Sequence, residues 1–346
     1  MKTRSRTFIN KDQQALTTVT QCRGGFFLPV KELPRTAPGW TLVVTENQWG
    51  KVTLKRCRLT QTHNNIRDAI LANAELIRKA PDGRIAVLYS SGKVLREMGN
   101  KGKNHAWLYQ KLEDMAMTLI EVETPNFKAT GPMIQRVVQS KVGMGRTLPG
   151  KREKKEAHFQ LVIFDPFVSY LFNVDIGLHY RELLPAIFDL RYGETQALVR
   201  FCLSHDKVNM AFADVLIALN AIKGKTTERA KRKIRKKIRD EREALERDFG
   251  ITIREMEDGR EGIFYKKHPL VRFESPNLDP QPLQEEKLIG NRCTTTNGHG
   301  LVPARPRFST EIKANGHGLV PSQEFFKRTQ EGAKNRPPSR GPVFFP

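Results

Sequence analysis

The sequence lacks any apolar run long enough to cross a membrane. Its longest apolar stretch, residues 211–222, contains Asp214 and Asn220 and falls far short of the ~20 residues that a spanning helix needs. The basic residues at the N-terminus are not followed by the apolar segment of a secretory signal. We therefore expect a soluble, cytoplasmic protein that has no membrane partner.

The sequence also lacks the side-chain patterns of metal sites and of DNA-cleaving active sites. The four cysteines form no C-x-x-C pair, which argues against a structural zinc or a disulfide framework. None of the eight histidines belongs to the histidine–apolar–histidine motif that holds the metal of relaxases and rolling-circle initiators. Carboxylate pairs such as Glu241/Glu243 and Glu255/Glu257 lie among basic residues and are typical of surface charge. We therefore expect no enzyme activity, no metal and no other cofactor.

A nucleotide-binding P-loop is missing as well. The stretch Lys223-Gly224-Lys225-Thr226 resembles the end of such a loop, but Leu219 stands where the first glycine of the motif belongs. No strand is predicted before this stretch, so we expect no nucleotide here. Any energy-driven unwinding of DNA would fall to a partner.

What the sequence has in excess is positive charge. Lysine and arginine number 59 and aspartate and glutamate number 37, which gives a formal net charge of +22 at pH 7. Such an excess destabilises the compact state by self-repulsion and is typical of proteins that bind a polyanion. Because no membrane-spanning segment is present, we expect the polyanion to be nucleic acid.

Hydrophobic periodicity predicts an α+β protein with two tandem winged-helix (helix-turn-helix) domains. The first unit has strands within residues 40–59, a helix at 64–79, a strand at 84–89, a short helix at 91–98, a longer helix at 104–119 and strands at 120–123, 133–142 and 158–164. The second unit has helices at 180–189, 195–204, 212–221 and 228–249 and a ribbon of strands at 251–255 and 262–266. In both units a short helix, a basic turn, a longer helix and a β-ribbon follow one another, which is the order of the winged helix-turn-helix.

The composition divides the chain into four segments. These are a basic flexible arm at residues 1–38, the first winged-helix domain at 39–165, the second at 166–273 and a disordered tail at 274–346. Half of the 20 prolines lie in the tail, which shows little apolar periodicity. The tail contains the peptide NGHGLVP twice, at residues 297–303 and 315–321. The repeat indicates either a recent duplication of coding DNA or a docking motif for a partner.

Basic residues around the longer helix of the first unit are candidates for contact with the DNA backbone. The loop before this helix contains Lys101 and Lys103, and the polar face of the helix contains Lys111. The connection at residues 136–155 has seven basic residues against one acidic residue, Glu153, which suits the phosphates beside a docked helix. Its candidate contacts are Arg136, Lys151 and Arg152.

The strongest local signal is the basic segment at residues 223–239, which has ten lysines or arginines against one acidic residue. A solvated helix face is the usual meaning of such a run. However, Ala230, Ile234 and Ile238 recur at helical spacing, which indicates that one face packs, and two threonines before them offer an N-cap. We interpret the segment as a recognition helix, within which an early arginine is able to bind guanine O6 and N7 bidentately. Its candidate DNA contacts are Lys223, Lys225, Arg229, Arg232, Lys233, Arg235, Lys236 and Arg239.

Three parts of the sequence resemble one known family. Residues 165–172 (DPFVSYLF) and 196–200 (QALVR) are similar to the junction between its two winged helices. Residues 95–99 (LREMG) and 108–112 (LYQKL) are similar to its first winged helix, and residues 231–245 fall on its second recognition helix. The family is that of the TrfA-like, iteron-binding plasmid replication initiators.

This resemblance implies a function for the chain. Such initiators bind direct repeats (iterons) in double-stranded DNA at a plasmid origin, open an adjacent A·T-rich segment and load the host's replicative helicase together with the host initiator. The resemblance also implies dimerisation through the first winged helix, a monomer–dimer equilibrium, and a location on plasmid DNA in a bacterial cytoplasm. The sliding-clamp motif of some members has only a poor match, at residues 323–326. The alternative function is a winged-helix transcriptional repressor that binds DNA without melting an origin.

Overall fold

The computed structural model describes residues 7–33, 41–47, 50–101, 103–123, 128–139, 159–224 and 226–275. All of them belong to one compact unit, Met1–Leu283. Residues 276–346, which include the repeated peptide of the predicted tail, lie outside the described residues, and so do the candidate contacts Lys151, Arg152 and Lys225. The described part is α+β, as the sequence predicts, and contains ten α-helices and four antiparallel sheets.

The N-terminal segment is packed into the core. It forms strand β1 (Thr7–Ile9), a 3-10 turn (Lys11–Gln13), strand β2 (Thr17–Thr18) and helix α1 (Val19–Arg23). Phe26 and Phe27 belong to the main hydrophobic core, and the Arg23 side chain donates to the Ser204 hydroxyl at 3.2 Å. The prediction of a flexible arm therefore does not hold for residues 7–33. Prolines and polar residues suggested an arm, and the few apolar residues that anchor it follow no regular period.

The first winged-helix unit follows a β-hairpin. The hairpin consists of β3 (Thr41–Asn47) and β4 (Gly50–Lys55), and the unit consists of α2 (Gln61–Ala72), β5 (Ala74–Lys79), β6 (Ile85–Ser90), α3 (Ser91–Glu97), α4 (His105–Met117), β7 (Leu119–Glu123), β8 (Lys128–Pro132), β9 (Ile134–Gln139) and β10 (Phe159–Phe164). One sheet has the order β1-β5-β6-β10-β9 and another the order β3-β4-β7-β8. Helices α2, α3 and α4 with strands β6, β10 and β9 reproduce the topology of a winged helix.

The helix predicted at residues 64–79 ends earlier than its apolar stripe suggests. Helix α2 ends at Ala72, Asn73 follows it with φ −98° and ψ 17°, and the chain then pairs as β5 with β6. Ile77 is buried in β5, just as it would be on the inner face of a longer helix. The apolar pattern alone therefore does not distinguish the strand from one more turn of helix.

The second unit repeats the order of the first. It contains α5 (Pro166–Val174), β11 (Gly177–His179), a 3-10 turn (Arg181–Leu183), α6 (Leu184–Asp189), α7 (Gly193–Leu203), β12 (Lys207–Ala211), α8 (Phe212–Ala218), α9 (Glu228–Arg239), α10 (Arg242–Phe249), β13 (Thr252–Glu255), β14 (Glu261–Lys266) and β15 (Arg272–Glu274). The sheet order β12-β14-β13 matches β6-β10-β9 of the first unit. The sequence pattern predicts neither α5 nor β12.

Across the described ranges, no helix has the length and apolarity needed to cross a membrane.

The long helix predicted at residues 228–249 is in fact two helices. Asp240 and Glu241 separate α9 from α10. The Glu241 carboxylate accepts hydrogen bonds from the backbone N–H groups of Arg191 and Tyr192 at the start of α7. A helix N-terminus has unsatisfied N–H groups and a positive partial charge, so a carboxylate placed there is stabilising. This tertiary contact favours the break, and the local sequence does not reveal it.

A buried polar network joins α2 of the first unit and α7 of the second. Asp68 and Arg200 are almost fully buried, and Arg200 Nη2 lies 2.9 Å from Asp68 Oδ2. The other carboxylate oxygen accepts from Arg67 Nη2 at 2.7 Å, and the Tyr180 hydroxyl donates to Asp68 at 3.0 Å. Arg200 also donates to the side-chain oxygen of Asn65 at 2.7 Å. The two units therefore share one polar core.

The N-terminal segment closes this junction from one side. The backbone N–H of Gln61 in α2 donates to the Val30 carbonyl at 2.9 Å. Gly193, the first residue of α7, lies so close to the same segment that an added Cβ would stand 2.3 Å from the Val30 carbonyl carbon. Only glycine fits this position without movement of the backbone, so the segment and both helices are packed as one body.

Candidate nucleic-acid interface

The basic segment of the second unit forms a well-anchored helix, α9. Its N-cap Thr227 accepts a hydrogen bond from the backbone N–H of Ala230 at 3.3 Å, which satisfies one of the free donors at the helix start. Ile238 is fully buried, Ile234 is partly buried against the core, and the helix packs on α7. The predicted packing of this apolar face is therefore present. It fixes which side chains of the helix point outward.

Four cations form the outward face of α9, and we call them the open stripe. They are Arg229, Arg232, Lys233 and Lys236. All four are exposed, and none of them makes a hydrogen bond or ion pair with another described residue. The spacing of three to four residues places them along one side of the helix. The stripe therefore presents positive charge that the described part of the chain does not neutralise.

The remaining cations of α9 have partners within the fold. Lys231 pairs with Glu228 at 2.7 Å, Lys237 pairs with Glu194 at 2.6 Å, and Arg239 pairs with Glu261 at 2.5 Å; these are the paired cations. The hydrogen bond to Glu261 raises the pKa of Arg239, and the hydrogen bond from Lys231 lowers the pKa of Glu228. Cations whose charge is already balanced gain less from a phosphate. Among the candidate contacts, Arg239 is therefore placed less favourably than the open stripe.

Two further candidates of the second unit lie beside the stripe. Lys223 is exposed before α9, and its Nζ lies 3.4 Å from the Val43 carbonyl oxygen. Arg235 is half-buried, and its Nε is buried without a hydrogen-bond partner in the described part of the chain. Lys223 is therefore accessible at the edge of the stripe, whereas Arg235 has only part of its guanidinium available.

The candidates of the first unit are more dispersed. Lys101 and Lys103 are exposed in the loop before α4, and Arg136 is exposed on β9. Lys111 pairs with Glu32 at 2.6 Å and is only 11% exposed, so it is turned toward the N-terminal segment. The expectation that Lys111 faces DNA is therefore corrected. The partner Glu32 lies 79 residues away in sequence, and no local pattern indicates it.

The outward face of α4 differs sharply from the open stripe. Asn104 caps the helix by accepting from the Trp107 backbone N–H at 3.4 Å, while Leu108, Leu112 and Met115 are fully buried. The exposed positions of the helix are Ala106, Gln110, Glu113 and Met117, which we call the neutral face. These residues recur at spacings of three to four residues, contain no cation and carry a single charge, that of Glu113. Our sequence-based choice of contacts selected cations only and so includes no residue of this face.

The two ribbons also differ. The ribbon of β13 and β14 in the second unit ends in Glu257 and Asp258, and Arg260 near its tip pairs with Asp258 at 2.6 Å. This tip is acidic, and phosphates would be repelled from it. The basic connection of the first unit lies almost wholly outside the described residues. In the second unit, α9 and the turn before it are therefore better suited to a polyanion than the ribbon is.

Two cysteines of the described part are unreactive, and the described residues form no metal-binding cluster. Burial raises the pKa of Cys22 to about 12 and raises the pKa of Cys202 further. Both side chains are thus neutral thiols near pH 7, with little nucleophilic character. Among the described residues, no group of three or more histidine, cysteine, aspartate or glutamate side chains is arranged to hold a metal.

Comparison with known proteins gives distant structural likenesses. No family model matches the chain, and no curated protein matches its sequence significantly. A crystal structure of domains 2 and 3 of RctB shares 10% identity, with 73% of this chain and 99% of that chain covered and a TM-score of 0.47. A second RctB structure of these domains shares 10% identity, with 68% and 93% covered and a TM-score of 0.38. Because both TM-scores are below 0.5, no functional assignment rests on them. The described fold itself defines the class as an α+β protein with two tandem units of winged-helix topology.

Proposed function

We propose that this chain binds double-stranded DNA through the open stripe of α9. The observation that carries the proposal is the set of four exposed cations on the second helix of a helix-turn-helix that have no partner among the described residues. The stripe extends from Arg229 to Lys236, which is about 10 Å along a helix, and the major groove of DNA is about 12 Å wide. The stripe has no aromatic side chain on which an unpaired base could stack, so duplex DNA is favoured over single strands.

We further propose that the bound DNA is a set of direct repeats at a plasmid origin and that the chain promotes local melting there. The resemblance to TrfA-like initiators supports this, as does the presence of two reading units in one chain. No nucleotide-binding motif is present in the sequence, so the proposal assigns the energy-driven step to a host helicase that the chain recruits. The proposal includes no catalytic step and no cofactor. It places the protein on plasmid DNA in a bacterial cytoplasm.

Dimerisation, which the resemblance implies, has a suitable surface in the first unit. On the outer face of the sheet, Leu76, Leu88, Leu161 and Val138 lie side by side across four strands. Leu76 is 45% exposed and Val138 is 44% exposed. An exposed apolar row of this kind is typical of an interaction surface. We propose that this row, which we call the apolar row, is covered by the same row of a second copy in a monomer–dimer equilibrium.

The role of the open stripe is tested by charge removal with a matched control. Arg232→Ala/Lys233→Ala/Lys236→Ala removes three stripe cations, whereas Lys231→Ala/Arg239→Ala/Arg247→Ala removes three cations that are paired with carboxylates. Binding is measured on a duplex selected from random sequence by the wild-type chain, over a range of salt concentrations. We expect the stripe variant to lose specific binding and, where residual binding is measurable, to lower the salt slope by about 2.7. The control should keep most of its affinity.

An unchanged gel-shift affinity of the stripe variant, with its circular dichroism spectrum intact, would refute the assignment of α9 to DNA. Footprinting then separates an initiator from a repressor. An initiator protects several direct repeats and makes adjacent A·T-rich DNA sensitive to single-strand reagents, whereas a repressor protects a promoter without melting it. Failure to melt under any condition, with host helicase and initiator supplied, would favour the repressor.

A further inference from the structure

Helices α4 and α9 occupy equivalent places in the two units. Each follows a short helix and a turn and precedes the ribbon strands of its unit. Counted from the first helical residue, positions 2, 6 and 9 are exposed in both helices. These positions are Arg229, Lys233 and Lys236 in α9 and Ala106, Gln110 and Glu113 in α4. The same three positions thus carry a charge of +3 in one helix and −1 in the other.

The neutral face of α4 is unsuited to binding phosphate. Glu113 would repel a phosphate, and the cation of the helix, Lys111, is held by Glu32 away from this face. Cations nevertheless flank α4. Lys101 and Lys103 are exposed before its N-terminus, and the ribbon strand β9, which packs against α4, carries the exposed Arg136. A duplex held by phosphates on both sides of the helix would leave the neutral face opposite the base edges.

The side chains of the neutral face have the chemistry of base recognition. Gln110 is exposed and makes no hydrogen bond to a described residue, so its amide is available as donor and acceptor together. A glutamine amide matches adenine N6 and N7, and a glutamate accepts from cytosine N4 in the major groove. Ala106, close to the N-terminus of the helix, leaves room for a thymine methyl group. Three buried side chains, Leu108, Leu112 and Met115, fix the rotation of the helix that presents this set.

We propose that α4 is the base-reading helix of the first unit, with Gln110 reading adenine and Glu113 reading cytosine, while the open stripe of α9 supplies affinity through phosphates. The inference rests on the proposed DNA-binding function and adds a division of labour to it. Base preference then depends on Gln110 and Glu113, whose loss does not alter the salt dependence of binding. Overall affinity depends on the open stripe, whose loss does alter the salt dependence.

The test is the substitution Gln110→Glu in the full chain. The two side chains have nearly the same shape, but the carboxylate has no donor for adenine N7 and accepts from cytosine N4. Selection from a randomised duplex library should show one position at which the preference changes from adenine to cytosine. The ratio of affinities for the two duplexes should change by about 5- to 150-fold at that position. The salt slope should stay that of the wild-type chain.

Gln135→Glu is the matched control, because it adds the same charge at an exposed glutamine on β9. It should leave the base preference unchanged. The inference is overturned if the Gln110→Glu chain selects the wild-type sequence, or if it loses affinity equally for all duplexes as the control does. Failure of the proposed function looks different, because the wild-type chain would then select no duplex at all. The exposed position of Gln110 keeps the fold intact, and a thermal melt verifies this.

Discussion

The buried carboxylate of Asp68 offers the sharpest test of how the two units are joined. Its two oxygens accept five hydrogen bonds, two from Arg67, two from Arg200 and one from the Tyr180 hydroxyl. The carboxylate is also the ion-pair partner that the structure gives to both buried guanidinium groups. Asp68→Asn keeps the shape but replaces one acceptor oxygen with a donor and removes the charge. The two arginines would then remain buried without a counter-charge.

The number of hydrogen bonds lost in Asp68→Asn depends on which of the two arginines faces the new amide nitrogen. If the amide nitrogen faces Arg200, three of the five bonds are lost, and if it faces Arg67, two are lost. Removal of one partner of a buried ion pair costs about 3–5 kcal/mol, which is a large share of a typical stability of about 5–15 kcal/mol. We expect the free energy of unfolding in urea, followed by circular dichroism, to fall by about that amount.

Asp258→Asn is the matched control for this measurement. Asp258 also pairs with an arginine, Arg260, but the pair is exposed at the tip of the second ribbon. Solvent screens such a pair, so the control should unfold at nearly the wild-type urea concentration. An Asp68→Asn chain as stable as this control would refute the view that the network holds α2 against α7.

Two other predictions concern the first unit. Leu76→Lys/Val138→Lys puts charge into the apolar row, and analytical sedimentation should show that the dimerisation affinity falls by roughly 100-fold or more. The control Ile217→Lys, at an exposed apolar residue of α8, should leave the dimerisation affinity unchanged. A row variant that dimerises as well as the wild-type chain would exclude this surface. Burial lowers the pKa of His63 below its usual value near 6.5, although Asp114 at 3.5 Å raises it and Lys111 lowers it further. The unfolded chain therefore takes up this proton first, so the free energy of unfolding should fall as the pH drops from about 6.5 toward the folded-state pKa and level off below it. In His63→Gln that fall should be smaller in urea titrations between pH 7.5 and 5, and an identical fall would show that His63 does not contribute to it.

The sequence predicts most clearly those features that a single helix or hairpin determines. The spacing of Ala230, Ile234 and Ile238 within a basic run predicts a helix that packs on one side and is cationic on the other, and the structure has both faces. Asp258-Gly259 predicts the second ribbon, and β13 pairs with β14 there. These patterns depend on contacts within a few residues of one another, which periodicity and turn chemistry record.

Features that depend on contacts between residues far apart in the sequence produce no such local pattern. The sequence suggests Lys111 as a DNA contact, but in the structure this lysine pairs with Glu32. The break after α9 likewise coincides with the contact of Glu241 with the start of α7, which the local sequence does not indicate. The packing of the N-terminal segment depends in the same way on isolated residues such as Phe26 that follow no period. In each case the deciding interaction joins residues that are dozens of positions apart, and a local pattern cannot contain it.

Pairing within the fold also determines which cations of α9 remain for a ligand. The helix has nearly uniform positive charge in sequence, and a charge count alone would assign all of it to DNA. Glu194, Glu228 and Glu261 each bind one cation on the flanks, so the structure leaves one stripe rather than a diffuse positive surface. An unpaired stripe gives the helix a defined rotation against a polyanion, because only one face gains from the contact. In the proposed complex, these acidic residues therefore orient the helix against the polyanion without contacting it themselves.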